Sequence, residues 1–153
     1  MEKNFDELVK TIGNLANMQN SDLLETATAN MGSSVLNDIE MCFENEKSPD
    51  GSKWEQRKDE KNQNKLLFKS GDLANSWQIK SDKEGFFVFN NRGKSNGFSY
   101  GLSHQFGSKN NIPKRAFLPI EGDKIDNAKL DKNTQEKIKK ELENTIKKAL
   151  GFK

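Results

Sequence analysis

Few side chains in this chain could make or break bonds. It holds one His (His104), one Cys (Cys42) and one Tyr (Tyr100). A hydrolase or transferase needs a nucleophile or a metal, together with a base of tuned pKa. A Cys–His nucleophile pair would require Cys42 to meet His104. Cys42, however, lies in Met41-Cys42-Phe43 on an apolar helical stripe, where a buried, inert thiol is the plainer reading. A metal on His104 would need carboxylates from elsewhere, and no His-Glu-x-x-His or paired-Asp motif supplies them. A single Cys also excludes an internal disulfide and an all-Cys metal site. Ser70-Gly71-Asp72 is not a phosphate loop, because no Gly-x-x-x-x-Gly-Lys-Ser/Thr occurs. The expectation is no enzyme, no cofactor and no metal. His104 and Gln105 would instead hydrogen-bond loop carbonyls and hold a turn at Gly107 while Phe106 packs.

Arg115 follows Pro113-Lys114 and stands beside Phe117-Leu118. It either holds a carboxylate of the same or a neighbouring chain in a bidentate pair, or keeps a solvated head at the surface. Phe117 and Leu118 read as core. Trp54 comes just after the turn Pro49-Asp50-Gly51. It would stack a sugar or base in an enzyme, and here is expected to anchor the loop. Nucleic-acid binding is the alternative function, since Lys114-Arg115, Lys139-Lys140 and Lys147-Lys148 could contact phosphates. Glu136, Glu141 and Glu143 interleave with those lysines, as on a solvated helix face, and no DNA- or RNA-reading signature occurs.

These residues need positioning elements, and the pattern supplies them. Phe5, Leu8, Val9, Ile12 and Leu15 predict a helix over Phe5–Met18. Asp22 with Glu25 forms a capping box, and Leu24, Ala27, Met31, Val35, Ile39 and Cys42 carry a second helix to Asn45. Gly32-Ser33-Ser34 within it marks a bend or a close helix contact. Glu55–Lys65 holds only charged and amide side chains, as an exposed helix or a disordered loop would. Ser70 is expected to cap a short helix with Leu73 and Trp77 one turn apart. Trp77–Ser81 and Phe86–Asn90 predict an antiparallel hairpin. The run Phe86-Phe87-Val88-Phe89 asks for cover on both faces, from helices on one side and from a strand or another subunit on the other. Arg92–Gly97 reads as a flexible loop. Asn133-x-x-Glu136 is a capping box for a last helix over Thr134–Leu150, with an apolar stripe at Ile138, Leu142 and Ile146. The fold class expected is α+β: N-terminal helices, a small antiparallel sheet containing the hairpin and Ala116–Leu118, and a C-terminal amphipathic helix.

Three blocks, taken in order, resemble one family. The first is Pro49-Asp50-Gly51-x-x-Trp54. The second is Leu67-x-x-Ser70-Gly71-x-Leu73-x-x-Ser76. The third is Tyr100-Gly101-x-x-His104-Gln105-x-Gly107, followed after a loop by Ile112-Pro113-x-Arg115-x-Phe117-Leu118. Together they resemble the phage virion morphogenesis family, which includes tail completion proteins of Mu-like phages and prophages, over roughly Ile39 to Asp126. The family usually has Ala after the Tyr and Pro after the Arg, where this chain has Gly101 and Ala116. The resemblance implies a structural virion protein, made in the host bacterial cytoplasm, that acts in tail completion or head–tail joining. Its implied partners are other virion proteins (tail tube, neck or connector) and further copies of itself in a homo-oligomeric ring, with at most weak DNA contact. The implied assembly motif is Trp54, Ser70, Gly71, Leu73, Tyr100, His104, Gln105, Gly107, Pro113, Arg115 and Phe117.

Composition agrees with a single domain over residues 1–153. A chain of this length buries about two-thirds of its unfolded surface. Only 32% of residues are hydrophobic while 31% are charged, so ten Phe and two Trp must carry a modest core. No apolar run reaches the roughly 20 residues of a membrane span, and the amphipathic, acid-interrupted start is unlike a secretory signal. The net charge of +2 hides an asymmetry: residues 1–50 hold 3 basic and 10 acidic groups, and the remainder is basic. One acidic and one basic portion is an arrangement that a head-to-tail subunit uses to fix its register, although Lys-rich composition alone also produces it.

Overall fold

A computed structural model describes residues 21–58, 61, 64–68, 70–90, 94–95, 98–108 and 111–151. The helix expected over Phe5–Met18 lies outside them.

Helix α1, Ser21–Asn45, is the spine of the fold. Ala27, Val35, Ile39 and Cys42, spaced eight, four and three residues apart, fall on one helix face, and all four are buried. The helix is covered on two sides. On one side lies the hairpin of β1, Trp77–Asp82, and β2, Gly85–Asn90, paired antiparallel with Ile79 opposite Val88. Gly32 allows this approach: a Cβ there would stand 2.9 Å from the Ile79 Cγ2 and 3.2 Å from the Phe86 ring. The small-residue run therefore marks contact with the hairpin, where another helix had been one expectation. Thr28 Oγ1 donates to the Asp82 carbonyl at 2.7 Å and pins the hairpin's tip.

On the other side runs the final helix α4, Lys132–Ala149. Asp38 of α1 meets Lys137 in an ion pair of 2.5 Å, and Asn30 Nδ2 donates to Thr145 Oγ1 at 3.3 Å. Contacts rising along α1 meet falling numbers along α4, so the two helices run antiparallel. The expected cap at Asn133 is corrected to Asp131, whose Oδ1 accepts from the Thr134 N–H at 2.8 Å. Asp131 holds that position because its own N–H donates to the Pro119 carbonyl at 3.0 Å, which sets where the helix begins.

Four shorter pieces complete the fold. Helix α2, Asp72–Asn75, leads into β1, and α3 is Tyr100–Phe106. Strand β3, Lys94–Ser95, pairs with β4, Phe98–Ser99, in part of the segment expected to be a loop. Strand β5, Ile120–Glu121, pairs with β6, Lys129–Leu130, around a 3-10 turn at Ile125–Asn127. Ala116–Leu118 is thus no part of a sheet, because a side chain takes the hydrogen-bonding place of a partner strand. Trp77 belongs to β1 and not to the short helix. Among the described residues of Glu55–Lys65 there is no helix or strand. Arg57 instead donates to the carbonyls of Asn64 and Lys65, both at 2.6 Å, and closes that loop. The molecule is α+β, with one buried cluster that joins Val35, Ile39 and Phe43 of α1 to Trp54, Leu66, Leu67, Leu73 and Phe117.

Candidate functional site

The chain's rarer side chains converge on the extended segment that follows α3. Gly107, at φ 77°, ends α3 in a left-handed turn that glycine adopts without Cβ strain. Ser108 N–H then donates to the Ile112 carbonyl at 3.2 Å, and the chain doubles back through Pro113 beneath the helix. Arg115 N–H donates to the His104 carbonyl at 2.7 Å, which brings Arg115–Leu118 alongside α3.

Gln105 holds that segment. Its Oε1 accepts from the Phe117 N–H at 2.9 Å and the Leu118 N–H at 2.8 Å, and its Nε2 donates to the Leu118 carbonyl at 3.2 Å. One amide, 1% exposed, thereby serves as the neighbouring strand that Phe117 and Leu118 lack. Trp54 supplies the opposite clamp, with Nε1 donating to the Ala116 carbonyl at 2.9 Å. Its ring stands edge-on to Phe43, centroids 5.6 Å apart, and Phe43 lies 5.0 Å from Phe117. Phe117 in turn meets Trp77 edge-on at 5.8 Å. Trp54 is therefore inside the core and offers no face to a ligand.

Arg115 is 6% exposed and its Nε donates to the Glu55 carbonyl at 2.9 Å. No carboxylate pairs with it among the described residues, so the same-chain bidentate pair does not form, and neither does the solvated head. Burial lowers its pKa, opposed by Glu55. His104 is also 6% exposed, with the Tyr100 ring edge-on to it at 4.6 Å. Burial, then the Arg115 charge, lowers the imidazole below its usual value, while the Pro113 carbonyl opposes the shift. Among the described residues Nδ1 of His104, which is buried, has no hydrogen-bond partner. Cys42 is buried in the core, where desolvation, then Asp38 and Asp50, push the thiol up to about 12. A thiol so shifted is not a nucleophile near neutral pH. Among the described residues no three His, Cys, Asp or Glu side chains converge as metal ligands.

The remaining motif residues divide. Leu73 is buried and belongs to the same cluster. Gly101 packs closely on it: a Cβ there would sit 3.2 Å from Leu73 Cδ1 and 3.5 Å from Phe117 Cζ. Ser70 and Gly71 stand apart, at the start of α2. Gly71, at φ 79°, occupies the cap position without a side-chain bond, and exposed Ser70 lies one residue earlier with its Oγ 3.1 Å from Asp72 Oδ2. The cap position falls at Gly71, one residue after the Ser70 expected, because the left-handed turn at Gly71 enters the helix, while Ser70 Oγ still accepts from the Asp72 N–H at 3.4 Å. Sequence reasoning missed Phe43 as the aromatic hub between Trp54 and Phe117. It also missed Glu46, whose Oε1 accepts from the Leu66 N–H at 2.6 Å. Phe43 follows Cys42 in the stripe and could have been found there. Nothing local marks Glu46.

The polar groups of this motif are thus spent largely on the protein's own backbone. The model of the phage virion morphogenesis family matches residues 3–147 of this chain. The chain therefore belongs to that family, and its work lies in phage virion morphogenesis. The match extends well beyond the Ile39–Asp126 that carries the motifs. No curated protein and no solved structure matches it. Among the described residues no helix is long and apolar enough to cross a membrane.

Proposed function

We propose that this chain is a non-enzymatic structural component of the particle that completes the tail or joins head to tail. It acts by self-assembly, as a homo-oligomeric ring, and by docking on a tail-tube, neck or connector protein during assembly in the host cytoplasm. The observation that carries this reading is what the motif does: Trp54, Gln105 and Phe117 lock one another inside the core. Their role is then to hold a shape. Family membership supplies the process, and the burial of His104 and Cys42 leaves neither side chain open to a substrate.

Deleting the gene tests the reading. The expected outcome, seen by electron microscopy of lysates, is filled heads and finished tails lying apart, with joining restored by the gene in trans. Joined particles at wild-type numbers would refute it. A turnover reaction abolished by His104→Ala in a protein that still folds would refute the non-enzymatic part.

A further inference from the structure

The hairpin's two faces are unlike. Its inner side chains, Ile79 and Phe86, meet α1 at Gly32. Alternation places Gln78, Lys80, Phe87 and Phe89 on the outer face, with Lys80 opposite Phe87 and Gln78 opposite Phe89. Phe87 is 67% exposed, more than any other large apolar side chain described. Full burial of such a side chain contributes about 1.5–3 kcal/mol, so an open ring is a driving force left unused.

A second surface matches it. At the C-terminal end of α1 lies a cleft of about 330 Å³, floored by Phe43, Phe68 and Ala74 and rimmed by Glu40, Glu44 and Lys65. Lys65 Nζ donates to the Glu44 backbone carbonyl at 3.4 Å, and neither rim carboxylate is in an ion pair among the described residues. Lys80 across the hairpin is likewise unpaired. The cleft offers apolar and polar surface in nearly equal share, its exposed ring is Phe68 and its margin carries Glu40 and Glu44, while the hairpin carries a ring beside a cation.

We propose that Phe87 of one copy seats in the Phe43–Phe68–Ala74 cleft of a second copy, with Lys80 set against Glu40 and Glu44. The two patches share no residue, so every subunit offers both halves of the contact. Such a heterologous contact repeats head to tail and closes into a ring when its rotation permits. The charge arrangement favours a second copy as occupant: α1 carries five acids and no base, and Lys80 lies in the basic remainder of the chain. This deepens the self-assembly part of the reading above and rests on it.

The test is sedimentation velocity of the full-length chain over a concentration series reaching the millimolar range, at low salt. Wild type is expected to associate, and Phe87→Asp to weaken association at least tenfold with an unchanged thermal melt, since the ring is mostly in water. Lys80→Glu alone and Glu40→Lys/Glu44→Lys alone should each weaken it. Combining the three in one chain should restore it, because attraction is re-formed with its sign reversed. A wild type that stays monomeric, association indifferent to Phe87→Asp, or no recovery in the combined variant each overturns the proposal. A monomeric wild type whose Phe87→Asp phage fails to join heads and tails would assign the face to another virion protein. That outcome overturns the second-copy contact and leaves the tail-completion reading intact. Normal joining after gene deletion removes that reading, whatever the association shows.

Discussion

Gln105 places a primary amide where water cannot replace it, and two consecutive backbone N–H groups depend on its oxygen. Gln105→Leu leaves those donors buried and unpaired, at roughly 1–3 kcal/mol each. We expect the variant to lose about 2–4 kcal/mol in urea unfolding, and a loss below 1 kcal/mol would show that the segment finds other partners. His104 shows how burial becomes pH dependence. Its folded-state pKa lies below the ordinary 6.5, so between those two values the unfolded chain binds more protons than the folded one. Stability is therefore full above pH 6.5 and falls as pH drops from there through the folded pKa. Denaturant midpoints across that window should decline more steeply for wild type than for His104→Gln, which lacks the titrating ring. Both residues stand out in sequence as rare types in one short run. Their partners do not: nothing near Gln105 says that the N–H groups donating to its oxygen lie twelve and thirteen residues on.

Among elements, α1 and the hairpin were legible because each repeats its own period. Apolar residues three or four apart define the helix, and alternation about an Asp–Lys–Glu–Gly turn defines the strands. How they meet depends on Gly32. Ala there would add up to ~1 kcal/mol of helix propensity, yet its methyl group would press on the β-branched Ile79 and on the Phe86 ring. Overpacking of this kind costs about 1–3 kcal/mol, so Gly32→Ala should lower the melting temperature although Ala is the better helix former. A rise in melting temperature would mean that the hairpin shifts freely on α1. The element boundaries that sequence misplaced share a cause: Asp131 replaces Asn133 as the cap, and β5 replaces Ala116–Leu118 as the strand. In both cases Pro119 and its neighbours are held by distant groups, which override local preference.

For the whole molecule, charge separates the functions. The exposed acids of α1, Asp22, Glu25, Glu40 and Glu44, face solvent, and on α4 lysines and glutamates mix. Binding to DNA requires a patch that releases many counterions. We expect the full chain to pass a DNA column alike at low and moderate salt, and retention that drops steeply with salt would instead support phosphate binding. The primary sequence by itself determined the α+β class, the spine helix, the hairpin, the last helix and membership of the family, because each follows from local periodicity or from ordered short motifs. Tertiary structure alone decided that Arg115 is buried with its Nε on the Glu55 carbonyl, that Gln105 stands in for a strand, and that Phe87 faces outward. The physical reason is common to all three. Burial and hydrogen-bond satisfaction depend on which groups from distant parts of the chain arrive at one place, and no local pattern carries that information.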